Sequence, residues 1–145
     1  MRLVFGEKDA PYEEARVVVL PVPYDLSLSF LPGARRGPEA ILLASRELEP
    51  FLLELGAAPE EVGIHAAEPV PWVAGMAEES HRLIREEALK HLRAGKWLVA
   101  LGGDHSVTHP LVQAHREALG ELSRLHVDAH ADLHPEGQGS VDSHA

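Results

Sequence analysis

The chain has 145 residues, with 23 acidic and 13 basic side chains, ten histidines and no cysteine. This length suits one domain with a buried core, and the lack of cysteine excludes a disulfide framework and a thiolate zinc site. The net charge of −10 argues against a nucleic-acid partner and is compatible with a cationic substrate. Apolar runs are far shorter than the roughly 20 residues that span a bilayer, and charges come too early for a secretory signal. We therefore expect no membrane partner and a cytoplasmic location.

Apolar segments with the pattern of strands alternate along the chain with amphipathic helical segments. The β-branched run at residues 17–20 predicts a strand buried on both faces, which ends at Pro21. Further strands are predicted at 61–65, 97–101 and 122–127, and helices at about 38–48, 76–94 and 107–119. A long loop at 24–38 separates the first strand from the first helix. This order predicts an α/β fold with a parallel sheet and right-handed crossovers.

Chemically reactive side chains follow the third and fourth predicted strands. The first group is Gly102-Gly103-Asp104-His105-Ser106, and the second is Asp128-Ala129-His130-Ala131-Asp132. Ligands gather at the carboxyl ends of parallel strands, so we expect one shared site. In an extended segment Asp128, His130 and Asp132 point the same way and could bind two metal ions about 3.5–4 Å apart, with His105 as a further ligand. The alternative is a capped turn with surface charges.

The types of ligand limit which metal ions fit the site. Neighbouring residues are interpreted as structural or surface residues rather than ligands. Imidazole and carboxylate without thiolate favour manganese, iron or zinc over calcium. His126, inside the last predicted strand, is interpreted as a buried, hydrogen-bonded histidine rather than a ligand. His134 is expected at the surface of a loop. Arg35 and Arg36 could bind an anion, but anchoring of the loop at 24–38 suits a site for a cationic substrate better.

These motifs resemble the ureohydrolase family of arginases and agmatinases. Residues 32–41 also resemble the agmatinase-like loop before the first long helix, and Ser143-His144-Ala145 resembles the family's S-H-A segment. The resemblance spans residues 17–145. It implies a three-layer αβα fold with a parallel sheet (the arginase-like fold), a binuclear manganese site, and hydrolysis of a guanidinium group to urea and an amine.

The resemblance also implies roles for individual residues. His105, Asp128 and Asp132 would hold one Mn²⁺ ion, Asp128 would bridge to the second, and His130 would help to hold that second ion. A hydroxide between the ions would attack the guanidinium carbon. His144 would protonate the leaving amine, and Asp104 would orient the turn or a ligand. The substrate would be a small cationic guanidino compound: agmatine, an aminopropylated agmatine, guanidinobutyrate and arginine all stay open.

One departure from the family pattern concerns completeness. The family also uses a second aspartate pair and a downstream glutamate, which residues 1–145 do not contain. We therefore expect residues 1–145 to form a single domain, the N-terminal half of a ureohydrolase fold that is incomplete at its C-terminus, holding perhaps one ion or none and catalytically weak alone. The alternative is a metal-binding fragment or subunit that needs a second half. The unpaired sheet edge and uncovered apolar face predict a homo-oligomer or poor solubility, unless a second piece docks. A deacetylase-like metallohydrolase is less well supported, because this chain lacks a His-His pair.

Overall fold

A computed structural model describes residues 4–6, 8–26 and 31–130 of the chain. Strands β1 (Val17–Val22), β2 (Ile64–Ala66) and β3 (Trp97–Gly102) form a parallel sheet in the order β2-β1-β3. The α-helices of the described residues are α1 (Gly37–Ala44), α2 (Ala77–Arg93) and α3 (Thr108–Leu119). Within these ranges no helix is both long and apolar enough to cross a membrane.

The central strand β1 is buried on both faces, as its continuous apolar sequence predicts. Alternate side chains of a strand point to opposite faces. Val18 and Leu20 therefore enter one core together with Ile84 of α2, while Val19 packs with Leu42 of α1 in a second core on the other face. The predicted three-layer αβα arrangement is confirmed.

The helix ends follow the local sequence signals. Pro38 lies in the first turn of α1, where its missing N–H group costs nothing. After α2, Gly95 adopts a φ of 73°, and its N–H donates to the carbonyl of Leu92 at 3.0 Å. That left-handed conformation is cheap for glycine and ends the helix.

Strand β1 continues through Pro21, so the predicted end of the strand at this residue is wrong. Its partner in β3 is Leu101, and Val22 still pairs with Gly102. The Pro21 carbonyl accepts a hydrogen bond from Val70 at 2.9 Å, on the side where β2 has already ended. Because the N–H and C=O of a strand residue face the same neighbour, the missing proline N–H also falls there. The ladder to β3 therefore loses no donor.

The strand predicted at residues 122–127 is not formed, since residues 121–130 contain no strand. Leu125 and Val127 are 90% and 89% exposed. The alternation of Arg124, Leu125, His126 and Val127 supplies only one apolar face, whereas a strand inside a parallel sheet needs two. No described helix covers even that one face.

Candidate metal centre

The turn after β3 depends on glycine because it passes directly over the backbone at the end of β1. A Cβ atom at Gly103 would lie 2.0 Å from the carbonyl oxygen of Tyr24. The close approach lets the N–H of Asp104 donate to the same carbonyl at 2.8 Å. The carboxyl ends of β1 and β3 are thereby joined by a backbone hydrogen bond.

Asp104 is buried and caps the turn that carries His105. Its Oδ1 accepts from the backbone N–H of Ser106 at 3.0 Å and from the Ser106 hydroxyl at 2.6 Å. An aspartate at this position satisfies N–H groups that a helix start otherwise leaves unpaired. The capped 3₁₀ turn (His105–Val107) continues directly into α3, so the backbone of His105 is held from both sides.

Three side chains converge at this end of the sheet: His105, His126 and Asp128. One ligand atom from each lies within 4.8 Å of the other two. The rings of His105 and His126 meet edge to face, with centroids 5.5 Å apart at an interplanar angle of 73°. We call this group the His105–His126–Asp128 cluster. Its two imidazoles and one carboxylate are a donor set that suits a divalent transition metal.

His126 differs from its sequence interpretation as a hydrogen-bonded core histidine. Its Nε2 atom is buried, and it has no hydrogen-bond partner among the described residues. The sequence contains a signal for its membership of the cluster, because His126 precedes Asp128 by two residues. It therefore extends the alternating ligand pattern of residues 128–132 by one position towards the N-terminus.

Asp128 and His130 contact each other in a bend rather than in the expected extended segment. The backbone N–H of His130 donates to Oδ1 of Asp128 at 2.8 Å, and the His130 Nδ1 lies 3.3 Å from the same oxygen. The side chain of His130 is 82% exposed and stands outside the His105–His126–Asp128 cluster. The aspartate's local hydrogen bond competes with extension here, as it does in Asx turns.

The carboxylate of Asp128 is stabilised in its charged form. The hydrogen bond from the His130 backbone has the largest effect and lowers its pKa. Burial opposes this, and the nearby imidazoles of His126, His130 and His105 each lower the pKa by a smaller amount. An ionised carboxylate is the form that binds a metal ion. Two other residues of the sequence-derived site, Asp132 and His144, lie outside the described residues.

The loop after β1 is anchored near the same end of the sheet by an ion pair between a buried carboxylate and a partly exposed arginine. Asp25 lies 2.7 Å from Nε of Arg35 and accepts from the N–H of Gly33 at 2.8 Å. Burial opposes ionisation of Asp25, but these donors outweigh it and hold its pKa below the usual value. The Arg35 guanidinium also stacks 5.0 Å above the ring of Trp72. Arg35 thus anchors the loop, as the sequence suggested.

A cavity of about 360 Å³ opens beside the capped turn. Its walls come from the end of β3 and the start of α3, and they include Gly102, Gly103, Asp104, His105, Thr108 and Leu111. His105 is the residue shared by this cavity and the His105–His126–Asp128 cluster. A small polar molecule in the cavity would therefore lie close to an ion bound by the cluster.

Comparison with known proteins gives one consistent picture. Residues 15–145 match the family model described as the Arginase family. The chain is 97% identical over 145 residues to an N(1)-aminopropylagmatine ureohydrolase of Thermus thermophilus, covering 100% of this chain and 50% of the relative. It is 36% identical over 142 residues to agmatinase of Bacillus anthracis, covering 98% of this chain and 49% of the relative.

A solved structure supports the fold. Proclavaminate amidino hydrolase from Streptomyces clavuligerus matches with a TM-score of 0.85 at 27% identity, over 97% of this chain and 46% of that chain. The likeness confirms the arginase-like arrangement of the parallel sheet and its helices. In each comparison the chain spans about half the length of the relative it matches.

Proposed function

Because the chain belongs to the arginase family, we propose that it carries metal-binding residues of a manganese-dependent ureohydrolase. The reaction is hydrolysis of a cationic guanidino compound to urea and an amine. The observation that carries this proposal is the convergence of His105 and Asp128 at the carboxyl end of the sheet, beside a cavity that also reaches His105. Ligand sites of open α/β sheets lie at this end.

The side chains at this position fit a manganese centre. Imidazole nitrogen and carboxylate oxygen, with no thiolate in the sequence, suit manganese and related ions. From the motif match we assign His105, Asp128, His130 and Asp132 as ligands. When bound, the metal ions would supply a water molecule of lowered pKa for the hydrolysis.

The chain's own residues would position the metal ligands and supply the proton for the leaving group. Asp104 fixes the turn that presents His105, and the low pKa of Asp128 keeps its carboxylate charged. His144 would donate a proton to the leaving nitrogen, because an imidazole titrates near neutral pH. The net charge of −10 favours approach of a cationic substrate.

The substrate we propose is agmatine or N(1)-aminopropylagmatine. The support is the names of the relatives, which are an agmatinase at 36% identity and an N(1)-aminopropylagmatine ureohydrolase at 97% identity. The much higher identity favours the aminopropylated compound. Assembly into a homo-oligomer and a cytoplasmic location complete the proposal.

A second candidate function is a metal-binding fragment or subunit that acts only with a further polypeptide. Two observations favour it: the chain spans half the length of its relatives, and the sheet presents apolar side chains to solvent at β3. Trp97 is 74% exposed and Val99 is 46% exposed. Surfaces of this kind are typical of interfaces.

Reconstitution tests both candidates. The chain would be loaded with Mn²⁺ and assayed for urea release from both substrates, alone and mixed with the part of the Thermus relative that lies outside the match. We expect urea from the mixture and little from the chain alone. His105→Asn should abolish release, whereas His109→Asn should not, because His109 is exposed on α3, where its Nε2 contacts Gln113 at 3.0 Å.

The outcomes separate the two candidates. Robust urea release by the chain alone would contradict the need for a second polypeptide. No release from a mixture whose two components co-sediment would contradict the ureohydrolase proposal itself.

A further inference from the structure

The motif that identifies the metal ligands assigns no role to His126, yet the structure places this residue among them. We propose that His126 is itself a metal ligand, which forms with His105 and Asp128 a three-ligand site for a single divalent cation. This inference rests on the metal centre of the proposed function. It differs in its ligand set, because His130 and Asp132 are not needed for this ion.

The spacing of the His105–His126–Asp128 cluster is close to what one ion requires. Ligand atoms about 2.1 Å from a tetrahedral ion lie about 3.4 Å from one another. The cluster's ligand atoms are already within 4.8 Å. Asp128 is exposed, so a rotation of its carboxylate can close the remaining distance without disturbing the core.

The environment of the His126 imidazole is the second argument. Its Nε2 is buried and has no hydrogen-bond partner among the described residues, which is unfavourable for a polar atom. The edge-to-face contact with the His105 ring brings the two imidazoles together without using that nitrogen. A metal ion between His105 and His126 would supply the missing partner.

The site also keeps positions open for other molecules. Two histidines and one carboxylate leave free coordination positions on a divalent ion, as in other sites with this ligand set. The neighbouring cavity reaches His105, so water or a small polar group has access to the ion from that side. A chain that lacks other ligands of the binuclear centre could therefore still bind one ion.

The test compares matched variants of the purified chain. Mn²⁺ binding is measured from the loss of the electron paramagnetic resonance signal of free Mn²⁺, for the parent, His126→Phe and the control His109→Phe, which changes an exposed histidine of α3. The phenylalanine at 126 keeps a ring against His105. We expect one ion per parent chain, at least about tenfold weaker binding in His126→Phe, and less than about twofold change in His109→Phe.

Several results would overturn the inference. Unchanged binding in His126→Phe would overturn it and leave the proposed function intact. Equal weakening in His126→Phe and His109→Phe would also overturn it, because His109 lies outside the His105–His126–Asp128 cluster. If circular dichroism shows that His126→Phe does not fold, His126→Asn takes its place. No Mn²⁺ binding by the parent would overturn the inference, and no binding by the reconstituted mixture would also count against the proposed function.

A second readout identifies the ligating nitrogen directly. Diamagnetic Zn²⁺ is added to ¹⁵N-labelled chain, and the imidazole nitrogens are followed by long-range ¹H–¹⁵N correlation. We expect ring nitrogens of His105 and His126 to shift together at one equivalent of Zn²⁺, while those of His109 stay in place. A His126 ring that keeps its shifts while His105 moves would exclude it as a ligand.

Discussion

Replacing Gly103 by alanine should destabilise the chain strongly, because the turn leaves no room for a side chain. The new Cβ would lie 2.0 Å from the Tyr24 carbonyl oxygen and 2.9 Å from its carbon. The two backbone segments would have to separate by about 1.4 Å to bring the 2.0 Å approach to an ordinary contact of 3.4 Å. That movement breaks the hydrogen bond from Asp104 to Tyr24. Overpacking and a lost buried hydrogen bond together predict a loss of about 2–5 kcal/mol.

The measurement is urea unfolding followed by tryptophan fluorescence, with Gly37→Ala as the matched control. A Cβ at Gly37 would meet only the Gly102 carbonyl oxygen at an ordinary 3.7 Å. Since Gly37 begins α1, alanine there should be neutral or stabilising by up to about 1 kcal/mol. Equal unfolding free energies for Gly103→Ala and Gly37→Ala would refute the steric reasoning.

Three further predictions concern stability and assembly. Asp25→Asn should lower the free energy of unfolding by about 1–3 kcal/mol at pH 7. Because the pKa of Asp25 in the folded chain lies below 3.8, the difference between parent and variant should vanish as the pH falls through that lowered value. Unfolding measured near pH 2 would show this. Burial lowers the pKa of His91 below 6.5, so the unfolded chain takes up this proton at a higher pH than the folded chain. The free energy of unfolding should therefore fall as the pH drops below about 6.5. His91→Gln should flatten this dependence on pH in unfolding measured from pH 7.5 to 5.5. Trp97→Glu should weaken the proposed homo-oligomer and shift the sedimentation profile towards monomer, because Trp97 is 74% exposed; a profile equal to that of the parent would contradict association through β3.

The features that could be predicted from sequence are those that local chemistry decides. The β-branched residues of β1 and the proline and glycine at the helix ends of α1 and α2 act on their own backbone, so they gave the right elements in the right order. The motif after β3 likewise placed His105 at the carboxyl end of the sheet, where ligand sites are expected, and Asp128 lies close to it although no strand directly precedes Asp128.

The features that could not be predicted depend on what lies beside a segment. Pro21 continues β1 only because its missing donor faces the region beyond β2. Residues 122–127 have the composition of a strand, but pairing and cover on the second face are absent from the described residues, and Leu125 is left exposed. The interpretation of His126 as a hydrogen-bonded core residue rested on the same strand, and its buried Nε2 has no hydrogen-bond partner among the described residues.

The two parts of the candidate site therefore differ in how firmly the chain holds them. His105 sits on a turn fixed by the Asp104 cap, by the contact at Gly103 and by the start of α3. Asp128 belongs to a segment whose apolar neighbours are exposed to water, so little packing energy fixes its position. Part of any metal-binding free energy must then be spent on ordering that segment. A polypeptide that covers Leu125 and supplies a neighbouring strand would remove this cost, and metal affinity should rise on its addition even when it contributes no ligand.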